Sequence, residues 1–113
     1  NGLRPMASVK IDIRGEIYEM TSSGDGQFHA ISKSLYKIYK TLGKDTPELI
    51  DYEVIIPPGG KTDALVQAIM TWKFNEKIFK TRGLDSDQTV AAIKATEKML
   101  NIIETGDIPA KNY

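Results

Sequence analysis

The sequence predicts an α+β fold in which two pseudo-symmetric β-β(-β)-α units pack as a layered domain. Three observations carry this expectation. First, the chain matches itself without a gap when slid by 61 residues, so that the window 7–42 falls on 68–103. Ala7, Ile17, Gln27, Ala30, Lys33 and Lys37 land on identical residues at 68, 78, 88, 91, 94 and 98, and Val9, Ile11, Ile13 and Tyr18 land on Met70, Trp72, Phe74 and Phe79. Second, in each copy the hydrophobic period lengthens from two to that of a helix after a turn, at 22–26 and again at 83–87. Third, helices follow hairpins instead of alternating with single strands, which favours an α+β layered fold over a doubly wound parallel sheet. Two copies are too few for a solenoid. The seam between like units is a natural place for a small ligand.

The elements follow in order. Residues 1–6 contain Gly2 and Pro5 and read as a linker. In 8–14, Val9, Ile11 and Ile13 alternate with Lys10, Asp12 and Arg14, as in a half-buried strand. Gly15 permits a tight turn into a second strand at 16–21. From Gln27 the period is helical, with Ile31, Leu35, Ile38 and Leu42 as the apolar stripe and Gly43 as the stop. Residues 49–56 are rich in apolar and β-branched side chains and read as a strand, ended by Pro57-Pro58-Gly59-Gly60. The longest strand is expected at 64–74, with Asn75-Glu76 turning it into another at 77–81. Asp85, Ser86 and Asp87 are helix N-cap candidates. The second helix runs to about residue 103 with Val90, Ile93, Leu100 and Ile103 inward. The repeat units are thus about 7–43 and 47–104, within a domain at 7–105, and 106–113 reads as a flexible tail.

Composition narrows the functional classes. The chain has 113 residues, one domain's worth, with Lys plus Arg and Asp plus Glu both at 15. A balanced charge gives no electrostatic footprint for nucleic acid. The absence of cysteine excludes disulfides, zinc–thiolate sites and a cysteine nucleophile. No apolar run approaches the ~20 residues of a membrane span. No signal-peptide pattern opens the chain, so the expectation is a cytoplasmic protein. Asn1 is not an initiator methionine, and the chain reads as a piece cut from a longer one.

The candidate chemistry gathers at the two turns. Gly24-Asp25-Gly26 precedes a helix, where free N–H groups attract anions and glycines allow a ligand close approach. Two readings are open: an ordinary strand-to-helix turn, or a site for a carboxylate-sized anion. It is not a phosphate loop, because the Lys-Ser/Thr ending is missing. At the second turn, Asp85 and Asp87 are either helix caps or an acidic counterpart for an ammonium group. Opposite polarity at equivalent turns suits a zwitterion. Tyr52 reads as core packing with its hydroxyl at the rim. Met70, Trp72 and Phe74 are either core or a dimer interface. His29 is the only histidine, and neither a metal site nor a serine triad can be assembled around it. No catalytic constellation emerges.

Several stretches resemble the C-terminal regulatory domain of the 2-isopropylmalate synthase family, which includes citramalate synthases. They are Ser23-Gly24-Asp25-Gly26, Leu49-Ile50-Asp51-Tyr52-Glu53-Val54, Gly60-Lys61-Thr62-Asp63-Ala64, Arg82-Gly83-Leu84-Asp85-Ser86-Asp87 and Ala91-Ala92-Ile93-Lys94-Ala95. Their order and spacing cover 7–103. The family's regulatory domain is likewise built of two similar β/α units. The chain departs from the family's usual pattern at His29, where an aspartate is common, and at Gln27, where a proline is common.

The resemblance implies a feedback sensor. Family members condense acetyl-CoA with a 2-oxo acid in a separate barrel holding a divalent metal. Neither that barrel nor its metal belongs to this fragment, for which no cofactor is expected. The implied partners are a second copy of the chain, the catalytic barrel of the same chain, and an end-product branched-chain amino acid, leucine or isoleucine, bound near the interface of paired domains. Gly24, Asp25 and Gly26 would receive the effector's polar end. Phe28, Leu49, Tyr52, Ile56 and Val66 would wall its side chain. The second turn, with Asp85, Asp87 and Ala91, would close the pocket. Two other classes remain open at this point: a purely structural dimerisation module and, less supported, a free-standing enzyme.

Overall fold

The computed structural model describes residues 4–56 and 65–109. Its elements are β1 (Met6–Ile13), β2 (Glu16–Ser23), α1 (Gln27–Thr41), β3 (Glu48–Ile55), β4 (Val66–Phe74), β5 (Lys77–Asp85) and α2 (Gln88–Thr105). They divide into two compact units, Asn1–Thr46 and Pro47–Tyr113. The first holds the antiparallel pair β1-β2 and α1, and the second holds the antiparallel sheet β3-β4-β5 and α2. This is the α+β, two-unit architecture that the repeat predicts. The 61-residue offset holds element by element: β2 and β5 open at Glu16 and Lys77, and the helices at Gln27 and Gln88. β3 is the extra strand of the second unit.

The hairpin turns repeat as well. Arg14 and Gly15 have φ of 53° and 89°, and Asn75 and Glu76 have φ of 51° and 66°. Positive φ at both central residues matches the right-handed twist of the flanking strands, as in type I′ hairpins. The first helix ends as its glycine suggests. Gly43 adopts φ 70°, its N–H donates to the Lys40 carbonyl, and the Lys44 N–H reaches back to the Tyr39 carbonyl. That is a Schellman closure of otherwise orphaned carbonyls. Gly106, at φ 80°, ends α2.

Several boundaries and faces differ from the sequence reading. β1 begins at Met6, inside the expected linker, and β5 runs on to Asp85 instead of ending at 81. The expectations at Pro57, Pro58, Gly59, Gly60 and Ala64, and for the last four residues of the tail, lie outside the described residues. The inward face of α2 is Ala91, Ala92, Ala95, Thr96 and Met99, while Val90 and Ile93 are exposed. The reason is packing distance. The bulk of this core comes from the sheet, where Met70, Trp72 and Phe79 are buried, and the helix supplies small residues that let it settle close. Met70 and Trp72 therefore belong to the interior beneath α2 and form no dimer surface. The Trp72 indole N–H donates to Thr81 Oγ1 at 2.9 Å, which satisfies its polar edge within the same core. In the first unit, α1 buries Ala30, Ser34, Leu35, Ile38 and Tyr39, a stripe turned slightly from the expected one.

The contact at Gly83 sets the helix–sheet spacing in the second unit. A Cβ built there would collide with the Ala91 carbonyl oxygen and lie 2.8 Å from the Ala95 nitrogen. Both are backbone atoms of α2 and cannot rotate away. Gly83→Ala is expected to lower unfolding stability by about 1–3 kcal/mol, the usual range for overpacking. Chemical denaturation of the variant checks this, with Gly26→Ala, where a Cβ meets nothing within 4 Å, as the steric control.

Candidate functional site

The two strand-to-helix turns occupy equivalent places in the repeat but do different electrostatic work. In the second, Asp87 is the N-cap of α2, and its Oδ1 accepts the Val90 N–H at 3.1 Å. Asp85 accepts the Asp87 N–H at 2.9 Å and pairs with the Lys94 ammonium at 3.1 Å. Lys94 also donates to the Leu84 carbonyl. The Asp87 N–H and, next, Lys94 hold the Asp85 carboxyl below the usual aspartate range. These carboxylates thus act first as caps and tethers. An ammonium ligand at Asp85 has to share it with Lys94.

In the first turn, Gly26 occupies the N-cap position and supplies no side-chain cap to α1. The leading N–H groups of a helix carry no intrahelical partner, and the macrodipole adds positive potential there. No acidic residue lies in the first helical turn to offset it. Gly24 is buried, with its N–H donating to the Pro5 carbonyl at 3.0 Å. His29 Nδ1 accepts the Asp25 N–H at 2.9 Å. The ring nitrogen thus supplies the turn with a hydrogen-bond acceptor, a role equally open to a carboxylate oxygen. The Asp25 carboxylate is largely exposed and pairs with Arg4 at 2.8 Å. Arg4 lies in a segment that reads as linker, and only its charge marks it in the sequence. Lys94 is marked there by its identity with Lys33 in the repeat.

Of the expected wall residues, Leu49, Tyr52 and Val66 share one face of the second sheet but not one spot. Leu49 pairs with Trp72 and Tyr52 with Met70, so both lie on the side that α2 covers at β4 and β5. Val66 pairs with Asp85 on that same face. Val66 and Ile56 sit toward the sheet end that carries Asp85. Leu49, level with Trp72, lies six residues along β4 from Val66, about 20 Å away. One amino-acid ligand cannot touch both ends of that strip. Tyr52 and Ile56 are exposed at 36% and 70%, so Tyr52 is not the core residue its strand suggests. Phe28 is half-buried in the first turn of α1, and Ala91 is fully buried as the partner of Gly83. Gly24, Asp25, Gly26 and Phe28 belong to the first unit and the remaining candidates to the second. A separate groove of about 600 Å³ runs along the β5 edge of the sheet, between Gln67, Arg82 and Leu84 on the strands and Lys94 and Lys98 on α2.

Two measurements follow from this geometry. His29→Ala removes the acceptor of the Asp25 N–H and is expected to cost about 0.5–1.5 kcal/mol, while His29→Asp keeps an acceptor in reach and restores most of it. Urea unfolding of the pair of variants checks this. Asp85 has a folded-state pKa below its unfolded value. It therefore contributes stability that is present above the unfolded value near 3.9 and is lost as pH falls through the lower, folded value. The stability gap between the wild type and Asp85→Asn is expected to be constant above about pH 5 and to close in acid below about pH 4, as read by denaturation across that range.

The sequence profile described as the LeuA allosteric (dimerisation) domain matches residues 1–104. The chain is 35% identical over 98 residues to a 2-isopropylmalate synthase of Aquifex aeolicus (strain VF5), covering 86% of this chain and 18% of that protein. It is 37% identical over 103 residues to the 2-isopropylmalate synthase of Aliarcobacter butzleri (strain RM4018), covering 89% and 19%. Against an (R)-citramalate synthase of Methanocaldococcus jannaschii, identity is 29% over 105 residues, covering 91% and 21%. The chain spans about a fifth of the length of these relatives. Matched over nearly all of its length, and carrying the duplicated strand-strand-helix unit throughout, the chain belongs to the family of LeuA allosteric (dimerisation) domains.

Proposed function

We propose that this chain is the feedback sensor of a larger acyl-transferring synthase, one that condenses acetyl-CoA with a 2-oxo acid in branched-chain amino-acid synthesis. Its effector is the end product, leucine, and its working form is a homodimer. The catalytic barrel and its divalent metal belong to the rest of that protein. The observation that carries this reading is the contrast between two equivalent helix starts. Asp87 caps α2 with its own carboxylate, whereas Gly26 leaves α1 without one. An amino-acid carboxylate at Gly26 supplies the missing acceptor and gains the field of the helix terminus.

Phe28, half-buried in the first turn of the same helix, gives the ligand's apolar part a surface within the first unit. Full burial of a branched side chain supplies roughly 1.5–3 kcal/mol. Even one missing methylene is worth only ~1–3 kcal/mol in a pocket, and isomeric leucine and isoleucine, which differ in shape alone, separate by that much or less. Inhibition further requires that the ligand bind one domain arrangement more tightly than another, since equal binding shifts nothing.

Calorimetric titration of the 113-residue chain with leucine, isoleucine and valine tests the reading. Leucine is expected to bind, and Gly26→Asp to weaken it at least ~10-fold, because the new carboxylate takes the ligand's place at the N-cap. The same variant is expected to be as stable as the wild type or a few tenths of a kcal/mol more so, since aspartate caps slightly better than glycine. Absence of binding by all three amino acids, or unchanged affinity in Gly26→Asp, refutes the site.

A further inference from the structure

Among the described residues, no helix of the second unit covers the face of its sheet opposite α2. In an antiparallel sheet, directly paired residues share a face. The register therefore places Asp51, Thr71 and Lys80 in one row of the face opposite α2, and Glu53, Ile69 and Arg82 in the next. Ile55, Gln67 and Leu84 follow at one end, and Glu48, Lys73 and Ile78 at the other. Ile55, Leu84 and Ile78 are 43%, 51% and 36% exposed, although each is a large apolar residue in a strand.

The charges on this face are sorted by strand. β3 carries Glu48, Asp51 and Glu53, β5 carries Lys80 and Arg82, and the middle of β4 between them is uncharged Ile69 and Thr71. We infer that this face pairs with the same face of a second copy of the chain, about a two-fold axis running along β4. The sorted charges select that axis. Rotation about β4 lays β3 of one copy over β5 of the other without shifting the rows. Asp51 then faces Lys80 of the second copy, and Glu53 faces its Arg82, each contact occurring twice. Ile55 meets Leu84 and Ile69 meets Ile69. Rotation about an axis across the strands instead stacks acidic β3 on acidic β3 and basic β5 on basic β5, which like-charge repulsion disfavours. Of the charged residues on this face, Lys73 alone meets its own copy, at the sheet end, where a long side chain can turn to water. Sheets packed face to face lie about 10 Å apart, within reach of extended Glu and Arg side chains.

The face measures about 15 Å by 25 Å, near 400 Å², half of the ~800 Å² per partner of a standard interface. It sets the direction and register of pairing while other surface adds to the strength. The inference takes self-pairing from the family's description as a dimerisation domain and adds the face, the axis and the partnering residues, independently of any effector.

Sedimentation of the full 113-residue chain and its charge variants tests it. Wild type is expected to be dimeric at micromolar concentration and to dissociate with rising salt. Glu53→Arg alone sets guanidinium against guanidinium at both symmetry-related contacts. Arg82→Glu alone sets carboxylate against carboxylate at the same two places. Each is expected to raise the dimer dissociation constant at least ~10-fold. Mixing the two variants pairs like with unlike again, with the charges exchanged at one contact, and is expected to return a heterodimer tighter than either variant's homodimer. That rescue between chains cannot come from a repaired fold within one chain, and circular dichroism of each variant confirms the fold. A monomeric wild type overturns the self-pairing. A dimeric wild type whose two variants pair as tightly as it does, or whose mixture pairs no better than either alone, overturns this face.

Discussion

The close approach of α2 to β5 is the constraint on which the second unit depends. With Gly83 under the Ala91 carbonyl and Ala68, Ala92 and Ala95 fully buried, the helix backbone rests almost on the sheet. Close-packed interiors tolerate little volume change, so the large residues must lie where the spacing leaves room. They lie on β4 and β5, as Met70, Trp72 and Phe79. The first unit uses equivalent positions in a more polar way. Ser22 stands where the second unit has Gly83, and Ser34 where it has Ala95. Ser34 Oγ donates to the Ala7 carbonyl at 3.3 Å, while buried Ser22 Oγ has no partner among the described residues. An unpaired buried hydroxyl is a cost that the glycine of the second unit avoids.

In each unit the helix begins just after the strand that carries this position, and the turn between them decides what its N-terminus can offer. Because the two starts are aligned in the repeat, their difference is chemical and not topological. At α2 the chain satisfies the N-terminus itself, through Asp87, and ties the preceding turn to the helix body through the Asp85–Lys94 pair. At α1 the side chains hold the turn, with His29 on the Asp25 N–H and Arg4 on the Asp25 carboxylate, and the N-cap is left to glycine. One duplicated scaffold thus carries a closed helix start and an open one. A small sheet with a helix on one side has a second face to dispose of as well. Here that face is neither uniformly polar nor uniformly apolar, and its acids and bases are segregated by strand.

The sequence by itself determined the periodic and local features. Alternation at Val9, Ile11 and Ile13, the glycine stop at Gly43, the Asn75-Glu76 turn and the gap-free repeat are written in neighbouring residues, and element types and order follow from them. The glycine-rich and acidic turns were legible for the same reason, since capping is a contact between residues three apart. Tertiary structure decided what depends on distance between elements. It turned α2 so that alanines, not Val90 and Ile93, face the sheet, because the largest apolar residues on a helix point inward only where the opposing surface leaves them space. It sent Met70 and Trp72 to the interior and left Tyr52 exposed, because α2 packs on β4 and β5 and the outer strand β3 remains beyond its reach. It assigned Asp85 to Lys94 and Asp25 to Arg4, pairings between residues too far apart in sequence for local pattern to connect. And it set Leu49, Tyr52 and Val66 along ~20 Å of one sheet face, a separation fixed by strand register, which hydrophobic pattern alone does not encode.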